Sequence, residues 1–362
     1  MPLHHVLCVH GIGKHSNDWV TDPDDGGKSF KQLLEELWGN YRATSGKGKF
    51  DDRVKLHSIH YDDEIEKIFG SWKEYVDDLK AGLSLSPLLM DQAAWFTDAI
   101  DKADQGVSGE DWGYTHLMDL IMFAGSPTLQ DRLVTYVGRQ IVEQVKACKS
   151  NERVSLIAHS MGCAMTHKVI QALYNEGVET PMGVQTLKGD FKFENVTMVA
   201  NTSYSLSRDR KNHYSGNVRP SLTAGQGCCY TWINVNHVLD PVGRFQRFDY
   251  RKNPQWLDPK VDGRGWHRDI QTKRLSSKSI HSINHYFRDP ALHIPFFELA
   301  FDARFSDTER GKAVDAFVDT TPEGKFKGLK AQLELLDVSD KDSFREFVEA
   351  VKAFREAIRL FN

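Results

Sequence analysis

The chain has few cysteines, and none in a useful pattern. There are five, Cys8, Cys148, Cys163, Cys228 and Cys229, and no two of them form a C-x-x-C pair. That spacing excludes a zinc ribbon and a thioredoxin-like centre. An odd count in 362 residues also argues against a disulfide framework. Cys8 and Cys163 sit inside apolar runs and are expected to be buried as small hydrophobic side chains. Basic excess is missing too: 46 Lys and Arg stand against 50 Asp and Glu, for a net charge of −4. The cations are scattered, so no nucleic-acid partner is expected. No apolar run approaches the roughly 18 residues of a spanning helix. Met1-Pro-Leu-His-His5 lacks a basic region and a cleavage site, so a cytoplasmic location is expected. H-E-x-x-H is absent, and Cys228 and Cys229 lack partners at zinc spacing. Neither a metal nor a cofactor is expected, and there are no internal repeats.

What is present reads as an α/β chain. Residues 5–10 form a short apolar run ending at glycine, as a buried strand does. Phe30, Leu33, Leu34, Leu37 and Trp38 have helical spacing within 28–43. Residues 53–61 alternate like a strand. Strand, helix, strand predicts a mostly parallel sheet flanked by helices. Residues 62–126, rich in Leu, Met, Trp and Phe, break that rhythm and read as a helical insertion. The rhythm resumes with a helix over 129–147, a strand over 153–158 and a helix over 161–174. Strands follow over 195–200 and 230–239 around a polar loop, with a further candidate at 269–275. From 306 a charged helical extension runs to 362. Phe344, Phe347, Val348, Val351, Phe354, Ile358 and Phe361 form one stripe there, expected to pack on the domain of residues 1–305.

The segment Val6–Ser16, VLCVHGIGKHS, poses a question. Its glycines are too close for G-x-x-x-x-G-K-[ST], and no third glycine completes G-x-G-x-x-G. A phosphate cradle is therefore excluded. The alternative is a loop that offers backbone N–H groups to an oxyanion. VSLIAHSMG, at 154–162, supports that alternative. Ser160 lies at a strand-to-helix junction with Ala158 two before it and Gly162 two after. A serine on such a turn is pushed out of the backbone envelope, and its neighbours must be small because the chain folds back on itself. The helix that follows aims its free N–H groups at a developing negative charge.

These two segments, VHGIG (9–13) and AHSMG (158–162), resemble the paired motifs of small bacterial lipases in the α/β-hydrolase superfamily. The resemblance spans about residues 5–300. It implies a serine esterase in which the N–H groups of Ile12 and Met161 form the oxyanion hole. It also implies a chain order of nucleophile, acid, then histidine. Asp240 ends the run WINVNHVLDPVG, and Asn236–Val242 resembles the acid-bearing segment of intracellular DDHD-type phospholipases. Downstream, SSKSIHSINHYFRDP offers His281 and His285. Ser282 suits a helix cap, which leaves His281 in the preceding loop and His285 inside the helix. An H-x4-Y-[LF]-x-x-P pattern of related hydrolases fits His281, Tyr286, Phe287 and Pro290. The expected triad is Ser160, Asp240 and His281, with His285 as the alternative base.

The expected reaction is hydrolysis of a carboxylic ester, from a lipid or another acyl ester. The insertion at 62–126 is either a lid or additional core. Thioester or amide hydrolysis uses the same residues, and a non-catalytic ligand-binding scaffold is the reading from another class. Asn201-Thr-Ser203 stands where many lipases carry Gly-Ser-Pro, so the acyl pocket departs from theirs. Peripheral contact with a membrane stays open.

Overall fold

In a computed structural model, the described residues are 2–11, 15–23, 27–67 without 47, and 127–318 without 188, 190, 208–209, 211, 239, 241–246, 254–255, 258–266 and 274–280. Most of the 62–126 insertion and the stripe at 344–361 lie outside them, as does Ile12.

The sheet is built from β1 (His4–Val9), β2 (Val54–Ile59), β3 (Arg153–His159), β6 (Phe193–Val199), β7 (Cys229–His237) and β8 (His267–Thr272). Its order is β2-β1-β3-β6-β7-β8, and every pair is parallel. Parallel neighbours need crossovers, and the helices supply them: α1 (Phe30–Ser45), α2 (Pro127–Ala147) and α3 (Met161–Asn175). A two-stranded hairpin, β4 (Val178–Thr180) and β5 (Gly183–Gln185), branches off after α3. After β8 come α4 (Ile283–Arg288), α5 (Pro290–Phe301) and α6 (Asp307–Val318). Among the described residues, no helix is long and apolar enough to cross a membrane.

β1 is buried along its whole length because it has helices on both faces. Its side chains alternate between two cores. Leu7 and Val9 pack with Leu133, Val137 and Ile141 of α2 and with Met165 and Val169 of α3. Val6 and Cys8 pack on the other face with Phe30, Leu33, Leu34 and Trp38 of α1 and with Phe297 and Phe301 of α5. Trp38 stacks on Phe301 at 3.6 Å between ring centroids, joining α1 to α5. Cys8 and Cys163 are buried and unbridged.

The expected elements that fall on described residues are all found, with ends shifted by a few residues. β8 runs over 267–272 rather than 269–275. Its sequence, HRDIQT, is polar because it forms the edge of the sheet, paired on one side only. Of the insertion, residues 62–67 are helical. Of the extension, α6 is helical and is tied to α5 by Arg310 on Glu298.

The chain steps from β1 to β2 on one side and returns to β3 on the other. The strand order therefore reverses between β1 and β3. In open parallel sheets that reversal leaves a crevice beyond the carboxyl ends of the strands. His10 and Gly11 leave β1 at that point, and Ser160 leaves β3 there.

Candidate active site

Ser160 follows β3 directly and caps α3 with φ 54° and ψ −125°. That conformation costs a non-glycine residue on the order of 1–3 kcal/mol and persists only where its surroundings enforce it. Here they do. The Ser160 N–H donates to Val199 O at 2.9 Å. The Ser160 carbonyl accepts from Thr202 Oγ1 at 2.7 Å and from the Cys163 N–H at 2.9 Å. The small neighbours are explained by contact. A Cβ on Gly162 would lie 2.2 Å from His10 O, and one on Gly11 would lie 2.9 Å from Ser160 Cβ. The strand-end loop and the elbow are thus in backbone contact.

The three residues expected to form a triad come together. His281 Nε2 lies 2.8 Å from Ser160 Oγ, and His281 Nδ1 lies 2.7 Å from Asp240 Oδ2. Asp240 has no solvent exposure. Its carboxylate only accepts, so His281 carries its proton on Nδ1 and offers the Nε2 lone pair to the serine hydroxyl. Met161 is the first residue of α3 and is buried. Its N–H is among those that a helix N-terminus leaves without an intrahelical acceptor.

His285 is the second histidine of that segment and does not reach the site. It is buried in α4, with its ring 5.1 Å from that of His237. The cap that separates the two histidines forms as expected: Ser282 accepts from the Asn284 N–H.

Two supporting contacts lay beyond what the sequence could show. His159 Nε2 donates to the His281 carbonyl at 2.6 Å, which anchors the histidine loop to the elbow. Burial holds His159 neutral, with its pKa pushed down to about 3. Tyr286 donates its hydroxyl to Asp240 Oδ2 at 2.6 Å and accepts the His237 N–H at 3.2 Å. Burial and the Asp240 charge keep this phenol protonated far above its usual range. The spacing of His281 and Tyr286 was the only available signal, and it says nothing of a partner 46 positions away.

Tyr286 therefore shares the carboxylate oxygen that holds His281. Removing the hydroxyl leaves Asp240 a stronger acceptor, which favours the imidazolium. Tyr286→Phe is expected to move the acid limb of the pH–kcat/KM profile upward and to cost about 10-fold in rate. A profile that falls in height without moving would show that the hydroxyl only fills space.

Asn201, Thr202 and Ser203, the departure from lipases, are all buried behind the elbow. Asn201 Nδ2 donates to Asn234 Oδ1, and Asn234 Nδ2 donates to Asp269 Oδ1, both at 2.8 Å. This amide relay ties the segment after β6 to the interiors of β7 and β8, where a glycine at 201 would offer no side-chain donor.

No family model, curated protein or solved structure matches the chain.

Proposed function

We propose that the protein is a serine hydrolase of carboxylic esters with an α/β-hydrolase architecture. The observation that carries this reading is the unbroken line Ser160 Oγ, His281 Nε2, His281 Nδ1, Asp240 Oδ2, with links of 2.8 and 2.7 Å. A serine hydroxyl is a weak nucleophile until a base takes its proton, and the base needs an orienting acid. His281 removes the Oγ proton as Oγ attacks the ester carbonyl. The negative charge on the carbonyl oxygen settles at the N-terminus of α3, on the Met161 N–H, with the Ile12 N–H as the second donor that the lipase resemblance implies. His281 then returns the proton to the departing alcohol, leaving an acyl group on Ser160. Water, deprotonated by the same nitrogen, releases the acid. Asp240 stabilises the imidazolium in both steps and stays ionised. Acyl or lipid esters are favoured as substrates by the apolar composition of 62–126. Thioesters and amides are the further substrates of the same geometry.

The test is a series of p-nitrophenyl esters from short to long acyl chains, together with a fluorophosphonate that labels activated serines. One adduct per chain on Ser160, and turnover of at least one ester, are the expected results. Folded protein that neither turns over any ester nor takes the label would favour the ligand-binding scaffold instead.

A further inference from the structure

A second group of side chains stands at the same end of the sheet and takes no part in the triad. His10 leaves β1, and His60 and Asp62 leave β2. One ligand atom from each lies within 4.8 Å of the others. His10 and His60 are buried, and Asp62 is partly so.

The protons in this group can be assigned. His10 Nδ1 lies 2.7 Å from the Gly11 carbonyl, which only accepts, so Nδ1 carries the hydrogen. The other nitrogen, Nε2, is then a lone pair. It takes a long contact from the Tyr61 N–H at 3.3 Å and faces Asp62 Oδ1 at 3.8 Å. His10 Nε2, which accepts that N–H, and the Asp62 carboxylate thus stand side by side as two acceptors. Asp62 Oδ2 accepts the His15 N–H at 2.7 Å and stands 3.9 Å from His60 Nε2. A cation between such acceptor atoms would offset the cost of burying them side by side. Ligands about 2.0–2.2 Å from a tetrahedral zinc ion sit roughly 3.3–3.5 Å apart, so the two contacts with Asp62, at 3.8 and 3.9 Å, are each a few tenths of an ångström longer than a bound ion requires.

We propose that His10, His60 and Asp62 bind one divalent metal ion, with Zn²⁺ the best match to two imidazoles and a carboxylate. The outer contacts fit the role. His10 already has its far nitrogen on a backbone carbonyl, as metal-bound histidines do. His60 now donates Nε2–H to His15 O at 2.8 Å, while its buried Nδ1 makes no hydrogen bond and lies 4.0 Å from Asp63 Oδ2. Binding the ion through Nε2 would move that proton to Nδ1, on the side of the Asp63 carboxylate 4.0 Å away, and release the His15 carbonyl. No proton is lost from the ring. Three protein ligands leave the fourth position to water. The ion would clamp the ends of β1 and β2 together, holding the base of the loop between His10 and His15 to the first helical residues of the insertion. The ligands are 50 positions apart in the chain, which is why no zinc spacing announces them.

A rival group, His5, Cys148 and Glu152, also lies within 4.8 Å. There burial raises the Cys148 thiol pKa, which disfavours the thiolate that a metal ion takes.

The experiment uses the tag-free full chain, stripped with a chelator and titrated with Zn²⁺ against a chromophoric competitor, with Co²⁺ as an optical probe. We expect one ion per chain, no thiolate-to-cobalt band, and a melting temperature raised by Zn²⁺. Asp62→Asn and His60→Gln should each weaken binding about 100-fold or more, and Asp63→Asn about 10-fold. Cys148→Ser should leave binding unchanged. Either ligand variant suffices if the other fails to fold. Binding that survives both ligand changes, binding abolished by Cys148→Ser, or no binding at about 100 µM Zn²⁺ would each overturn the proposal.

Discussion

Ser160→Ala is expected to lower kcat/KM on the best ester by about 10⁵- to 10⁶-fold, and adding His281→Ala to it should cost almost nothing more. The reason is that serine and base act as one unit: each is useless for covalent attack without the other. Their link is a single 2.8 Å contact, with the elbow held by its own backbone bonds, so the alanine leaves the fold intact. Residual turnover then comes from binding and the oxyanion donors alone. Asp240→Asn should cost less, about 10⁴-fold. It keeps the side-chain shape, but its amide donors meet His281 Nδ1–H and the Tyr286 hydroxyl, and the histidine is driven toward the wrong tautomer. Steady-state kinetics on the single and double variants provide the check. Losses that multiply in the double variant would mean that Ser160 and His281 do not share a step, and the proposed mechanism would fall.

Acid should unfold this protein earlier than its carboxylates alone would suggest. Burial lowers the pKa of His4, His159 and His285 to about 3 and of His167 and His293 to about 4. In the unfolded chain each returns to about 6.5. Above that value both states are neutral and the full stability is present. Below it the unfolded chain takes up protons that the folded chain refuses, so stability falls as pH drops toward 4 and 3. Each group contributes up to about 1.4 kcal/mol per pH unit. Five of them between pH 6.5 and 5 sum to on the order of 10 kcal/mol at full linkage, comparable with the whole stability of a domain. A cooperative transition with its midpoint between about pH 4 and 5.5 is expected in circular dichroism and tryptophan fluorescence. A fold that persists to pH 3 would show that these rings reach water and protonate in place.

Much of this site could be read in the sequence because it depends on local geometry. Ala158 and Gly162 flank Ser160 because the chain passes close to itself there, and such steric demands leave a short, contiguous record. The order of Ser160, Asp240 and His281 was legible through the resemblance to lipases, and the Ser282 cap separated His281 from His285. Contacts made only by folding left no such record. His159 reaches the His281 carbonyl across 122 positions, and Tyr286 reaches Asp240 across 46. The three-residue strands β4 and β5 are too short to show any period. The amide relay Asn201–Asn234–Asp269 joins the segment after β6 to β7 and β8, whose adjacency is a property of the sheet order alone.

The position of β1 has a consequence for how the chain is made. It precedes the other strands of this sheet in the chain, yet it lies inside the sheet, and its second partner begins at Arg153. At about 5–20 residues per second, the ribosome takes roughly 7 to 30 s to deliver that partner. Until then the segment His4–Val9 can pair with β2 on one side only, and its other edge lies open on the nascent chain. Contacts between distant parts of the chain close late, and they make folding slow and exposed to aggregation. The strand that leads into the proposed oxyanion loop therefore also waits with one edge unpaired during synthesis.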